Sequence, residues 1–400
     1  MKKSMDTWFF MRAGFDTFQM LPDQHRQFLF GGRERDKRDL LLKDIEDAVY
    51  SMDGHKAVVF GDYGRGKTHM CFNLVYEIAR RDDDILPVYI KCSQYGSKEP
   101  FYSFFRELVS ALTSTGLHKI AEEYGHRVRD GEARPIEEIV QSEDIALVLS
   151  KGLALLDSDV IKNCMRWLSG EPKVDMMGVS KSLRPQLTDS REFGAVMRGL
   201  SHMIRTVHGK VPVYLVDEAE RFREVSNPDT LAAWTAAMRE LTELTKVGLV
   251  FFVGAVTRND LPAILLYDEI RRRIGVVNYV EFQNPSRDQV REFLLELFAT
   301  SIRKGEVPID HRNAVLESAL ESTVPDELSA LTASEPNALS TYPFTPSAFD
   351  EFVEQVSTGD AANKPSEILK RVQKIAQRAM RADTRVIDGK LVDALAAEGI

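Results

Sequence analysis

The sequence predicts an α/β protein: a parallel five-stranded sheet that carries a phosphate-binding loop, with a long helical insertion and a C-terminal helical lid. Three observations carry that expectation. Gly61-Asp62-Tyr63-Gly64-Arg65-Gly66-Lys67-Thr68 fits G-x-x-x-x-G-K-[ST] directly after the apolar run 57–60, the context in which that pattern binds phosphate. A second buried-strand run, 213–216, ends in Asp217-Glu218. Around these, apolar runs alternate with segments of helical period, as in a parallel sheet covered on both faces.

Residues 1–30 are rich in aromatics (Trp8, Phe9, Phe10, Phe15, Phe18, Phe28 and Phe30) and form an arm. It either packs on the protein's own core or docks on a neighbouring subunit or partner. Gly31-Gly32-Arg33-Glu34 then leads a helix through Leu41, Leu42 and Ile45 into a nucleotide-binding domain over 31–284. Strand one is 57–60, and the helix after the loop places Met70, Leu74, Val75 and Ile78 on one buried face. Strands two to five fall at 88–92, 213–216, 249–253 and 276–282. About 120 residues separate strands two and three, more than a crossover needs. That stretch reads as a helical insertion, about 100–205, with a looser Gly/Pro-containing piece at 170–185. The lid, 285–400, opens with Pro285-Ser286 capping a helix through Val290, Leu294 and Leu297. A Ser/Thr/Pro-rich loop covers 322–346, and Thr345-Pro346 has the N-cap and first-turn proline of a helix start. A last long helix carries Ile368, Val372, Ile375 and Ala379.

The formal charge of -9 argues against a surface coated with basic residues for nucleic acid, while leaving room for a local stripe or pore. Cys71, Cys92 and Cys164 are too scattered for a disulfide framework or a zinc site, which points to a reducing cytosol. The longest apolar run, 247–256, is too short to span a bilayer, and Asp6, Arg12 and Asp16 interrupt any signal-peptide core. The expectation is a cytoplasmic protein with no membrane partner.

The chemistry expected at the loop is ATP binding. Backbone N–H groups and the following helix N-terminus cradle phosphates, and Gly61, Gly64 and Gly66 let the backbone approach them. Lys67 reaches the β- and γ-phosphates, the Thr68 hydroxyl ligates Mg2+, and Arg65 and His69 complete the nucleotide-contacting stretch. Asp217 is placed to hold magnesium through water, and Glu218 to orient and polarise the attacking water. After strand four, Thr257 first and Asn259 second are candidates to contact the γ-phosphate or that water; an ordinary strand-end cap is the alternative. Arg271-Arg272-Arg273 precedes strand five, and a guanidinium given across a subunit interface neutralises charge on a transferred phosphoryl group. A solvated basic turn is the plainer reading. Lys370, Lys374, Arg378 and Arg381 share a helix face, read as solvated in preference to phosphate-binding.

Taken in order, these elements resemble an AAA+ ATPase over residues 30–400. The lead helix and Tyr342-Pro343-Phe344-Thr345-Pro346-Ser347-Ala348-Phe349 resemble the branch of origin-recognition and STAND-type ATPases. The resemblance implies that Arg33 and its lead help form the adenine pocket and that the lid closes over the nucleotide. It favours Arg273, followed by apolar Ile274, as the arginine finger. It also implies a homo-oligomeric ring or filament with ATP at subunit interfaces, acting on a protein effector. Trp167-Leu168-Ser169-Gly170-Glu171 and Asp217-Glu218-Ala219-Glu220 are similar to ATP-binding proteins of bacterial BREX-type defence islands.

Two departures stand out. Asn363-Lys364-Pro365-Ser366-Glu367 places Ser366 where the branch often has a γ-phosphate-sensing arginine, leaving Lys364 or Arg371 as substitutes. The stretch after the last long helix is too short for a winged helix, so any DNA contact is indirect, through a ring pore, the insertion or a partner. The expected function is coupling of ATP binding and hydrolysis to assembly or remodelling of a partner complex, in phage defence or mobile-element DNA handling. The alternative is a nucleotide-gated scaffold that oligomerises on ATP and turns over little.

Overall fold

A computed structural model of the chain describes residues 4–15, 17–51, 54–81, 84–95, 100–112, 116–155, 157–187, 189–224, 227–244, 246–303, 307, 340–358 and 364–397. The chain divides into a sheet unit, Asp39–Tyr63 with Cys71–Phe282, and a helical unit, Met1–Arg38 with Gly64–Met70 and Gln283–Ile400.

The sheet unit holds β1 (Lys56–Gly61), β2 (Ile85–Lys91), β3 (Val211–Asp217), β4 (Gly248–Gly254) and β5 (Tyr279–Phe282). All pairings are parallel, in the order β2-β3-β4-β1-β5. The three inner strands are buried at every position, which is why they read as continuous apolar runs without alternation. β2 starts three residues before the sequence expectation because it runs through Pro87. A proline has no N–H for a ladder on both sides, and β2 is an edge strand paired only with β3, where it is tolerated.

Strand five is shorter than expected. Val276–Asn278 form a 3-10 turn, with Val276 63 % and Val277 88 % exposed. β1 offers β5 partners only at Val58–Gly61, so the apolar residues before Tyr279 have no ladder to join. Gly275, at φ +87°, turns the chain there, and the Asn278 side chain donates to the Ile274 carbonyl.

The insertion is helical as expected, with its longest helices at Pro100–Ala111, Leu117–Arg129, Ser158–Leu168 and Ser190–His208. It shares one core with the sheet: Phe104, Leu149, Trp167 and Phe193 belong to the same buried cluster as Val58, Val216 and Phe251. The looser piece is pinned by buried Val174, Met176 and Leu187, and by the Trp167 indole N–H donating to the Arg184 carbonyl at 2.7 Å.

The helical unit packs Arg287–Ser301, Pro346–Ser357, Pro365–Arg381 and Gly389–Ala396 around Leu294, Phe298, Phe344, Phe349 and Val372. Thr345 accepts from the Ala348 N–H as N-cap, as the Thr-Pro pair implies. Of the two readings of the aromatic N-terminus, packing is what the structure shows. Phe9, Phe15 and Phe18 are buried in this core, Phe18 edge-on to Phe298 with ring centroids 5.7 Å apart. On the basic helix face Lys374 and Arg381 are exposed and Lys370 pairs with Glu367 at 2.6 Å, as in a solvated face. Residues 322–339 of the Ser/Thr/Pro-rich loop lie outside the described residues. Among the described residues no helix is long and apolar enough to cross a membrane.

Candidate nucleotide site

The predicted site residues fall into two groups, one in each unit. In the helical unit, Gly64 at φ +79° and Gly66 at φ +85° take up the left-handed backbone that side chains resist. Helix Lys67–Arg81 begins directly after them, the Met70 N–H donating to the Gly66 carbonyl at 2.8 Å. The N–H groups that open a helix lack an intrahelical partner and, with the helix dipole, suit an anion as a class. Lys67 and Thr68 open this helix, and Arg65 is partly buried beside them in sequence. His69 does a holding task here: its Nε2 donates to the Phe28 carbonyl. Burial keeps its imidazole below the usual histidine range, with the Phe28 bond opposing in part. Arg33 donates to the Gln283 side chain at 2.6 Å. Its neighbours Gly31 and Gly32 donate backbone N–H groups to Glu296 and Glu292, so the lead is fastened to helix Arg287–Ser301.

In the sheet unit, the C-terminal ends of the parallel strands bring Gly61, Asp217 and Gly254 to one end of the sheet. A Cβ at Gly61 would lie 2.7 Å from the Phe282 carbonyl, so β5 approaches too closely for any side chain there. Asp217 is buried. Its Oδ1 accepts from the Glu218 N–H at 2.9 Å and its Oδ2 from the Tyr89 hydroxyl at 3.4 Å, which orients the carboxylate. β4 lies between β1 and β3, and the Ala255 N–H donates to the Gly61 carbonyl at 2.9 Å, so the segment after β4 emerges between the loop strand and the acidic strand. There Thr257 Oγ1 donates to Asp260 Oδ2 at 2.8 Å and caps a 3-10 turn, while Asn259 is exposed.

Glu218 sits at φ +56°, a left-handed conformation costing a non-glycine residue about 1 kcal/mol. Its carboxylate pairs with Lys91 Nζ at 2.9 Å and lies 3.8 Å from Arg221. The pairing raises the Lys91 ammonium above its usual range. Lys91 is the last residue of β2, in register with Asp217. Nothing in the sequence motif marks it; only the strand register does. The contacts of Glu220 and Arg223 with Gly254 are equally absent from the sequence motif. The Gly254 N–H donates to Glu220 Oε2 at 2.7 Å, and Arg223 donates to the Gly254 carbonyl at 2.8 Å, so both ends of the Gly254 residue are held.

Arg273 lies apart from these strand ends, on helix Asp268–Ile274, which leads to the N-terminal end of β5. Its Nε and Nη2 donate to Glu243, and its Nη1 to the Glu269 carbonyl at 2.8 Å. Arg272 beside it is exposed.

No protein-family model matches the chain, and no curated protein matches it. Among solved structures it is similar to the Aeropyrum pernix ORC2 protein in ADPNP–ADP complexes, with a TM-score of 0.50 and 9 % identity over 97 % of this chain and 72 % of that one. It is also similar to Cdc6p from Pyrobaculum aerophilum (TM-score 0.47, 11 % identity, 96 % and 68 % covered). A third is the Aeropyrum pernix ORC1 protein in complex with DNA (TM-score 0.43, 14 % identity, 94 % and 68 % covered). The fold class is the AAA+ type of P-loop sheet. At these identities the likeness speaks for the fold alone. Similarity to BREX-type proteins finds no support in these comparisons, and the residues that suggested it have local tasks: Trp167 is core, and Glu171 pairs with Arg166 at 2.7 Å.

The donor chemistry of the residues present suits a magnesium nucleotide. Each unit carries a hard oxygen donor of the kind magnesium takes beside phosphate and water: the Thr68 hydroxyl in the helical unit and the Asp217 carboxylate in the sheet unit. Such a site needs no cluster of three protein carboxylates or imidazoles, and none occurs among the described residues.

Proposed function

We propose that the chain is an ATPase that couples ATP binding and hydrolysis to assembly or remodelling of a partner complex. The observation that carries this is that one chain with an AAA+ fold holds both a GxxxxGKT loop directly after β1 and Asp217-Glu218 at the end of β3. Lys67 and the loop N–H groups hold the phosphates, and Thr68 and Asp217 hold magnesium, which when bound neutralises phosphate charge. Glu218 orients the attacking water and takes up its proton. Thr257 or Asn259 steadies that water or the γ-phosphate, and Arg33 lies by the adenine. Arg273 serves the site of a neighbouring copy, since it lies away from its own strand C-termini. The assembly is a homo-oligomer working on a protein effector, with DNA contacted indirectly. Phage defence or mobile-element DNA handling is the proposed setting.

One observation favours the second reading, a scaffold that switches on ATP with little turnover: Glu218 is held by Lys91. Glu218→Gln separates the two. In a motor, it should abolish turnover while retaining ATP and trapping the assembled state, read by phosphate release and by mass in solution. A wild type that shows no turnover with any protein partner or nucleic acid leaves only the scaffold.

A further inference from the structure

Three residues compete for the place of the missing lid arginine, and the helical unit separates them. Arg371 Nη1 donates to the Gln355 carbonyl at 3.4 Å, turned toward the neighbouring helix Pro346–Ser357. Lys364 is the N-cap of helix Pro365–Arg381. Ser366, in the first turn of that helix, meets the phosphate loop itself. Its backbone N–H donates to the Gly64 carbonyl at 3.2 Å. A Cβ added at Gly64 would stand 2.2 Å from Ser366 Oγ and 3.3 Å from Ser366 Cβ. Gly64 occupies a position the phosphate-loop pattern leaves open. Phosphate chemistry therefore does not demand glycine there; the φ of +79° and the seat of Ser366 do.

We propose that Ser366 is the positioning residue through which the lid helix sets the phosphate loop, in place of an arginine that reaches for the γ-phosphate. This rests on the ATP-binding reading above. The first N–H groups of a helix have no intrahelical partner, so donating one to Gly64 takes nothing from the helix. In a trans peptide C=O and N–H point in opposite directions. Fixing the Gly64 carbonyl on Ser366 therefore fixes the direction in which the Arg65 N–H is presented within the loop. Nothing in this arrangement distinguishes a triphosphate from a diphosphate. The lid contact thus tunes ATP and ADP together, unlike an arginine on the γ-phosphate.

The test is nucleotide titration of the full chain by calorimetry, with ATP under non-hydrolysing conditions and with ADP. Gly64→Ala should weaken both at least tenfold, and Ser366→Leu, which drives a larger side chain into Gly64, should weaken both several-fold. Ser366→Ala keeps the backbone N–H and should stay within twofold of wild type. Ser366→Gly in the Gly64→Ala background should restore several-fold of the lost affinity. Thermal midpoints without nucleotide identify any variant that fails to fold, and Ser366→Leu then carries the test in place of Gly64→Ala. Strictly additive effects at 64 and 366, or an ATP loss exceeding the ADP loss tenfold, overturn the proposal. Lys67→Ala is the separate control: if the wild type binds neither nucleotide, or binds no better than Lys67→Ala, the ATP-binding reading falls first.

Discussion

Lys91 and Glu218 are exposed by 61 % and 29 % at their side chains, and an ion pair in that setting is worth up to about 1 kcal/mol. That is too little to lock the carboxylate proposed to orient water, and enough to set the fraction of time it is released from Lys91. Lys91→Met should therefore raise kcat up to about fivefold with KM for ATP nearly unchanged, measured by steady-state phosphate release. A fall in kcat instead gives Lys91 a role on the substrate side. The sequence named Asp217 and Glu218 from their place after an apolar run. It had no means to name Lys91, whose relation to them exists only through the β2–β3 register. Thr257 was chosen for being a polar residue after β4, and the structure shows its hydroxyl engaged with Asp260. A side-chain hydrogen bond three residues away is decided by the local turn, which no strand pattern reports.

At the scale of an element, β1 enters the sheet through two buried polar side chains. Lys56 Nζ donates to the Leu244 carbonyl at 2.6 Å and the Gly54 carbonyl at 2.9 Å. His55, 8 % exposed, has a buried Nε2 with no partner among the described residues. Burial first, and the Lys56 ammonium second, push His55 down to about 4 from 6.5. A depressed histidine stabilises the fold above its unfolded pKa, and that stability is lost as pH falls below about 6.5 toward 4. The loss by pH 5 should be about 2 kcal/mol from this group. Urea unfolding at pH 7.5 and pH 5 measures it, and His55→Asn should flatten the difference; an equal pH dependence in the variant removes His55 as the cause. The inner strands were legible as uninterrupted apolar runs. The edges were not, because an apolar run such as Val276-Val277 looks the same whether or not a neighbour offers it a ladder.

For the whole molecule, the proposed ATP site needs a residue from a neighbouring copy to be complete. Arg273 spends three of the five donors of its guanidinium on Glu243 and the Glu269 carbonyl, and it remains 25 % exposed. If its remaining donors serve a neighbouring copy, Arg273→Ala and Lys67→Ala chains should each be inactive alone. Mixed in equal amounts, they should recover up to about a quarter of wild-type turnover, the share of interfaces that join an intact loop to an intact arginine. No recovery at any ratio, in oligomers shown by mass to have mixed, removes Arg273 from that role. By itself, the sequence determined the parallel sheet, the loop, the acidic pair and the helical insertion. Each is written in local order: an apolar period, a glycine spacing, a carboxylate after a strand. Only the tertiary structure decided that Lys91 holds Glu218, that Glu243 holds Arg273 and that Ser366 meets Gly64. Those contacts join residues 30 to 302 positions apart, and pairing at such a distance is fixed by how the elements pack, which no local pattern encodes.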